Sequence, residues 1–404
     1  MAFDLVIKNA RTRSSDAPLD IGIRDGRILR IGHDLGSDAD RVIDAAGRLV
    51  TESFVNGHLH LCKVYTLSMV GEKALQSYQA GSMGKAMTAI ELASSVKEQY
   101  KESWIIENVR KALKLAAQYG TTHIRAFADT DTKARLEGVK ALLKAREEFR
   151  HAVELQVVAF PQDGIVRDPG AEGYVEEALQ LGADVVGGIP WIEYTDEDAG
   201  KHIDILFGLA RKYDKDVSML IDDAGDPGLR TLEMLATKTI REGWQGRVMV
   251  HHARAMALYP EPYFRKMIAL LKQARIGLVS DPHTGPLHAR VRDLYGEGVA
   301  VALGQDDIAD AYYPYGRNNM LEVAFLASHL LWMTTFEDME ILYDLITTKA
   351  AQAMALKDFQ MREGSRADLV VLNAETIWEA MTYHEAPAHV IKDGKEVTRQ
   401  EHLR

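Results

Sequence analysis

The chain has almost no cysteine: Cys62 is the one such residue in 404. No internal disulfide can form, and the composition fits a reducing compartment. Long apolar runs are missing too. No stretch approaches about 18 consecutive apolar residues, so the sequence offers no membrane-crossing helix. Positive charge is in deficit, with 48 Lys and Arg against 59 Asp and Glu and a net charge of −11. No basic cluster offsets that excess, which argues against nucleic acid and against an anionic membrane surface as partners. The opening residues show no basic end followed by an apolar segment, so no secretory signal is read and a cytoplasmic location is expected. Internal repeats and low-complexity tracts are absent. The length exceeds one ordinary domain and allows a large core.

What is present comes in two styles. Residues 1–52 read as short strands and turns. "FDLVIKNA" alternates, "DIGIRDGRILRIG" holds two apolar runs around Asp25-Gly26, and "VIDAAGRLV" carries a glycine turn. Residues 357–404 return to that style, with a strand in "ADLVVLNA" and a hairpin in "HVIKDGKEV" around Asp393-Gly394. β structure at both ends predicts one small β-sandwich domain assembled from the two termini.

Residues 53–356 differ. Short apolar runs alternate with amphipathic helical stretches such as 99–118, 133–148, 199–213, 229–243 and 262–273. The strand candidates are "FVNGHLH", "THIRAFA", "VELQVVAF", "ADVVGGI", "DVSMLID", "RVMVHH", "RIGLVSD" and "GVAVALGQD". Strands that each lead into a helix, at this count, give an α/β fold with a (β/α)8 TIM-type barrel, whose chemistry sits at the carboxyl ends of the strands. The stretch 66–98 is only weakly periodic. It reads either as a mobile cover over the site or as plain packing.

Polar residues gather at the predicted strand ends. "SFVNGHLHLCK" places His58 and His60 two apart on a strand, so both imidazoles face one side and form half of a metal site, although such a pair also arises by chance. Lys63 lies just beyond. The third run leads to Gln162 in "FPQDG", the sixth to His251 and His252, the seventh to Asp281 and His283, and the eighth to Asp306 and Asp307. One such residue is explained by capping or solvation; five enriched ends are not. Imidazoles with one carboxylate suit zinc, iron(II) or manganese, and such an ion makes bound water acidic enough to ionise near neutral pH. Cys62 beside the pair reads as a soft ligand, a nucleophile or a small buried residue.

These phrases, with "VVAFPQDGI", "IPWIEYTDED", "LGQDDIADAYYPYGRNNML", "HLHLCK" and "SRADLVVLNA", resemble the amidohydrolase superfamily, in its branch of cytosine deaminase and N-isopropylammelide isopropylaminohydrolase. The resemblance spans nearly the whole chain. It implies a hydrolase, of deaminase or amidohydrolase type, acting on a carbon–nitrogen bond of a small nitrogen heterocycle or cyclic amide. One divalent metal ion (zinc, iron or manganese) would activate the water. By position it implies His58, His60 and Asp306 as metal ligands, with Asp306 also accepting the proton. His252 orients or polarises the attacked group, and Gln162 contacts the heterocycle. Lys63 pairs with a substrate oxygen or a developing anion, or else makes a surface salt bridge. Trp191 and Glu193 shape the pocket, and His283 belongs to the substrate-binding or metal-shell groups. The partner is a small molecule. Members of the family commonly form oligomers, and a helix over 318–333 would serve either as an interface or as barrel packing.

Two departures stand out. Where the family has a metal-binding histidine at the end of strand five, this chain has Leu220 in "LIDD", and leucine has no lone pair to give. Where strand two carries a histidine, Phe127 stands, either to stack on a flat ring or to fill space. Asp222 lies two residues beyond Leu220, on the same side of an extended strand, and is expected to supply the missing ligand, with His252, His251 or His283 as alternatives that could rotate into the shell. Asp223 matches the family's proton-shuttling glutamate. The pocket is expected to be more apolar than that of cytosine deaminase, so cytosine should be a poor substrate. Two rivals remain at this level: a metal-independent hydrolase, lyase or isomerase using Lys63, His252 and the aspartates, and a binding protein without chemistry.

Overall fold

The computed structural model describes residues 3–36, 38–71, 75–76 and 86–397. The alternating runs near the amino terminus form β1 (Phe3–Thr12), β2 (Ser15–Arg24), β3 (Arg27–Gly32) and β4 (Ala39–Asp44). They make one sheet in the order β3-β2-β1-β4. Asp25 and Gly26, with φ of 51° and 74°, close the β2–β3 hairpin. Positive φ at both central residues is the turn geometry that matches strand twist, and Asp-Gly is the pair that tolerates it.

A second sheet joins the two ends of the chain. β5 (Val50–Glu52) pairs with β14 (Leu369–Val371), followed by β15 (His389–Lys392) and β16 (Lys395–Glu396). Asp393 and Gly394 repeat the tight turn, with φ of 49° and 75°. Ile7, Ile21, Ile23 and Ile43 of the first sheet meet Val50, Leu369, Val371 and Ile391 of the second in one apolar core. The small domain is therefore a sandwich of two sheets, one mostly amino-terminal and one mixed.

The apolar runs between these sheets become eight parallel strands: β6 (Phe54–Leu59), β7 (Thr121–Asp129), β8 (Glu154–Phe160), β9 (Val185–Gly188), β10 (Asp216–Ile221), β11 (Val248–His252), β12 (Gly277–Ser280) and β13 (Val301–Leu303). A helix follows each of them and packs an apolar stripe outside the barrel. The helix Glu102–Gln118, for example, buries Ile105, Ile106, Val109, Ala112, Leu113 and Ala116, spaced at three and four residues. The last helix of this set is Met320–Leu330, which buries Met320, Leu321, Val323 and Ala324. Of the stretch 66–98, residues 72–74 and 77–85 lie outside the described residues; the helix Ala86–Lys97 brings Ile90 to the wall of the cavity at the carboxyl end of the barrel. Among the described residues, no helix is long and apolar enough to cross a membrane.

The barrel closes where β13 runs out. Leu59 bridges Asp306 in parallel register. The Asp306 N–H donates to the His58 carbonyl at 2.9 Å, and the His60 N–H donates to the Asp306 carbonyl at 2.8 Å. Asn56, fully buried, clamps this seam. Its Oδ1 accepts from the backbone N–H of His58 (3.2 Å) and of Gln305 (3.0 Å), and its Nδ2 donates to Asn318 Oδ1 at 3.0 Å. Gly304 lets the strands approach: a Cβ there would sit 2.7 Å from His58 Cβ and 2.3 Å from Asp281 Oδ1.

Removing the clamp strands two buried N–H donors, each costly without a partner. Asn56→Ala should lower unfolding free energy by about 2–4 kcal/mol in a urea titration. A loss below about 0.5 kcal/mol would show that the seam does not depend on Asn56.

Candidate active site

Closure of the barrel decides what meets at its carboxyl end. Pairing β6 with the segment after β13 sets His58 Nε2 3.0 Å, and His60 Nε2 3.8 Å, from Asp306 Oδ1. His252, at the end of β11, brings its Nε2 within 4.0 Å of the same oxygen. All four side chains are buried. Nδ1 of His58 and Nδ1 of His60 have no hydrogen-bond partner among the described residues. His252 and Asp306 hold left-handed backbone, with φ of 66° and 61°. For residues with a Cβ that conformation is costly, and it persists where surrounding structure enforces it.

The surroundings set the charges. Burial, with Lys63 and His58 nearby, pushes the His60 imidazole well below its ordinary pKa and keeps it neutral. Burial alone would raise the Asp306 carboxyl, but the imidazoles of His252, His58 and His60 outweigh it and hold Asp306 ionised. Burial also disfavours charge on His252. There Asp223, Asp306 and Asp281 prevail and raise it to about 9. The other oxygen of Asp306 accepts a hydrogen bond from Thr284 Oγ1 at 2.7 Å. Arg254 donates from Nη2 to that hydroxyl at 2.9 Å, and its Nε stands 2.8 Å from Asp223 Oδ1 as an ion pair.

A small cavity opens over this cluster. Its apolar wall is Ile90, Ile189 and Leu220, and its polar groups include Gln162, Asp223, Arg254 and Asp307. Lys63 is buried rather than at the surface. Its ammonium donates to Gln162 Oε1, and Asp129 Oδ1 lies 3.5 Å away. Gln162 Nε2 in turn donates to Tyr312 Oη at 3.2 Å. The amide is thereby fixed, with its oxygen on Lys63 and its NH2 on the Tyr312 side. Asp129 and other carboxylates outweigh burial, so Lys63 stays charged.

Several expected residues are not brought to this point. Asp222 stands outside the clustered donors. β10 ends at Ile221 and Asp222 turns with φ of 45°, so strand alternation no longer governs where it points. Its Oδ1 accepts from the Thr231 N–H and hydroxyl, and its Oδ2 from Tyr259 Oη at 2.9 Å, at the start of the next helix. Phe127 does not line the cavity. Its ring packs against those of His58 and His251, at centroid distances of 4.4 and 4.9 Å, and fills space behind the donors. Trp191 is buried in the apolar cluster around Phe127 and Leu220 without reaching the cavity. Glu193 instead accepts the backbone N–H groups of Ile165, Val166 and Arg167, and so secures the loop after β8. His283 Nε2 is turned to the Gln305 carbonyl at 3.1 Å. His251 Nε2 pairs with Ser218 Oγ at 2.6 Å. Cys62 is a small buried residue, its Sγ 3.4 Å from the Asp129 N–H and its thiol pushed up by burial.

Arg254 and Thr284 escaped the sequence reading. The visible signal was an arginine two residues after His252, inside a segment ending a buried strand. Gly285 makes room for it, since a Cβ there would lie 1.8 Å from Arg254 Nη1.

Burial holds His60, His202, His251 and His283 below their ordinary pKa, whereas His252 is raised. In the unfolded chain each titrates near 6.5. Below that pH the unfolded state binds the protons the four neutral imidazoles refuse, so stability falls as pH falls. His252 acts oppositely: its contribution is full below about 6.5 and is lost as pH rises through about 9. His288 is held down by burial in the same way, so with five groups against one the urea midpoint of chelator-treated protein should drop from about pH 7.5 to about pH 5.5. An unchanged or rising midpoint would contradict these charge states.

The Amidohydrolase family model matches residues 41–398. The N-isopropylammelide isopropyl amidohydrolase of Pseudomonas sp. (strain ADP) is 30% identical over 400 residues, covering 99% of this chain and 98% of that protein. The crystal structure of 5-methylcytosine deaminase from Klebsiella pneumoniae, liganded with 5-fluorocytosine, superposes with a TM-score of 0.88 at 30% identity, covering 98% of each chain. That of N-isopropylammelide isopropylaminohydrolase from Burkholderia multivorans gives 0.85 at 27% identity, covering 97% of each. With a buried His and Asp cluster at the carboxyl end of its barrel, this chain belongs to the amidohydrolase family and is a hydrolase of carbon–nitrogen bonds.

Proposed function

We propose that the protein hydrolyses a carbon–nitrogen bond of a small nitrogen heterocycle, releasing an amine or ammonia, with the help of one divalent metal ion. What carries this is the convergence of His58, His60 and Asp306, whose donor atoms all lie within 4.8 Å of one another. The chemistry of the set fits an ion: a neutral imidazole with a depressed pKa, a second imidazole whose Nε2 lies 3.0 Å from the carboxylate, and an ionised carboxylate. When bound, the ion supplies a water acidic enough to ionise near neutral pH.

The chain's own residues do the rest. Asp306 keeps one oxygen tied to Thr284, which fixes the angle of the other. Asp223 stands at the cavity wall, held by Arg254, where it can carry a proton from water to the departing nitrogen. The NH2 of Gln162, oriented by Lys63, has a second N–H for a ring nitrogen or carbonyl oxygen. Ile90, Ile189 and Leu220 give the substrate an apolar face and favour a ring with an apolar edge over cytosine. The names of the relatives, an ammelide amidohydrolase and a methylcytosine deaminase, support this substrate class.

The protein should retain zinc, iron or manganese when purified without chelator. It should turn over at least one member of a panel of amino-pyrimidines, amino-triazines and cyclic amides, with cytosine among the poorest. Chelation should abolish turnover and metal should restore it. Asp306→Asn should lower kcat by about 10²–10⁴-fold. Turnover that persists without metal would point to the metal-independent alternative. Tight binding without turnover would leave a binding protein.

A further inference from the structure

We infer that His252 supplies a third imidazole to the ion's shell, in place of the donor that Leu220 cannot give, and that Asp281 orients it. This rests on the proposal that an ion binds at His58, His60 and Asp306.

The register explains the substitution. β10 and β11 are adjacent, with Leu220 opposite His251 and Ile221 opposite His252. A donor lost from the end of β10 can therefore be replaced from the end of β11. Asp222, the nearer carboxylate, is fully engaged at the next helix. His251 pairs with Ser218, and His283 with the Gln305 carbonyl. Each keeps a free Nδ1 among the described residues, but of the three only His252 falls in a group of mutually close donors with His58. Its Nε2 is 4.0 Å from Asp306 Oδ1, and its ring stands nearly perpendicular to that of His58 at a centroid distance of 5.0 Å. His58, His252 and Asp281 form a second group of mutually close donors, which shares His58 with the first group although His252 itself is not part of that first group.

The far side of the ring completes the pattern. His252 Nδ1 lies 3.3 Å from Asp281 Oδ2 as a charged contact, and Arg254 Nη2 comes within 3.5 Å of the same nitrogen. Asp281 is buried, and Gly304 gives its carboxylate room against the backbone. Metal-binding histidines usually donate their other ring N–H to a carboxylate, which fixes the ring and makes the ligating nitrogen more basic. The consecutive left-handed residues His252 and Ala253, with φ of 66° and 45°, hold the chain in the turn that carries this ring.

Cobalt(II) reports this directly, because its visible absorption depends on the ligands around the ion. Full-length protein stripped with chelator is titrated with Co(II), beside His252→Asn, Asp281→Asn and the double variant His252→Asn/Leu220→His. Asparagine at 252 can keep a donor toward Asp281 while removing Nε2. The visible band should shift in His252→Asn and affinity should fall by about 100-fold or more, while Asp281→Asn should weaken binding by about 10–100-fold. Leu220→His should recover tight binding in the His252→Asn background. Circular dichroism confirms that each variant is folded. If His252→Asn binds cobalt with the parent spectrum and affinity, His252 is only a charged neighbour of Asp306 and this inference is wrong, while the hydrolytic proposal stands. If the parent protein binds no cobalt, both fail.

Discussion

Two backbone hydrogen bonds at one seam of the barrel determine the site. They pair Asp306 with His58 and His60, and so place the carboxylate from the end of the sequence beside imidazoles from its beginning. The residues lie almost 250 positions apart, yet the geometry is local once the ring of strands has closed. Asn56 and Gly304 matter for the same reason. One satisfies the backbone donors at the seam, and the other removes the Cβ that would hold the strands apart.

That arrangement concentrates polarity where polarity is expensive. His58, His60, His252, Asp281, Asp306 and Asp307 are all nearly inaccessible to water. Burial raises Asp307 well above an ordinary carboxyl, aided by Asp306 and Asp310, so not every carboxylate here stays ionised. Buried charge is tolerated when it is paired or bound to metal. Arg254 and Lys63 provide part of that pairing, the first with Asp223 and the second with Asp129. An ion among the imidazoles would provide more.

Much of this was legible in the sequence, for identifiable reasons. Strand ends in a barrel face one common region, so His58, His60, His252 and Asp306 could be brought together without coordinates. Asp25-Gly26 and Asp393-Gly394 announced their turns through backbone chemistry alone. Asp222 misled because alternation holds only while a strand continues, and a single left-handed residue ended it. Phe127 and Trp191 lie behind the cavity wall because packing depth depends on neighbouring strands, which one strand's sequence does not reveal. Arg254 was hidden by the habit of placing arginine at the surface; its burial depends on a glycine and a threonine some 30 residues later.

The account turns on whether one ion sits where these groups converge. Diffraction data from crystals of the metal-loaded protein, collected on both sides of the metal's absorption edge, locate it directly. The account predicts a single anomalous peak among His58, His60 and Asp306, with His252 in the same shell. A fully active protein with no peak there, or with its peak elsewhere, would contradict it.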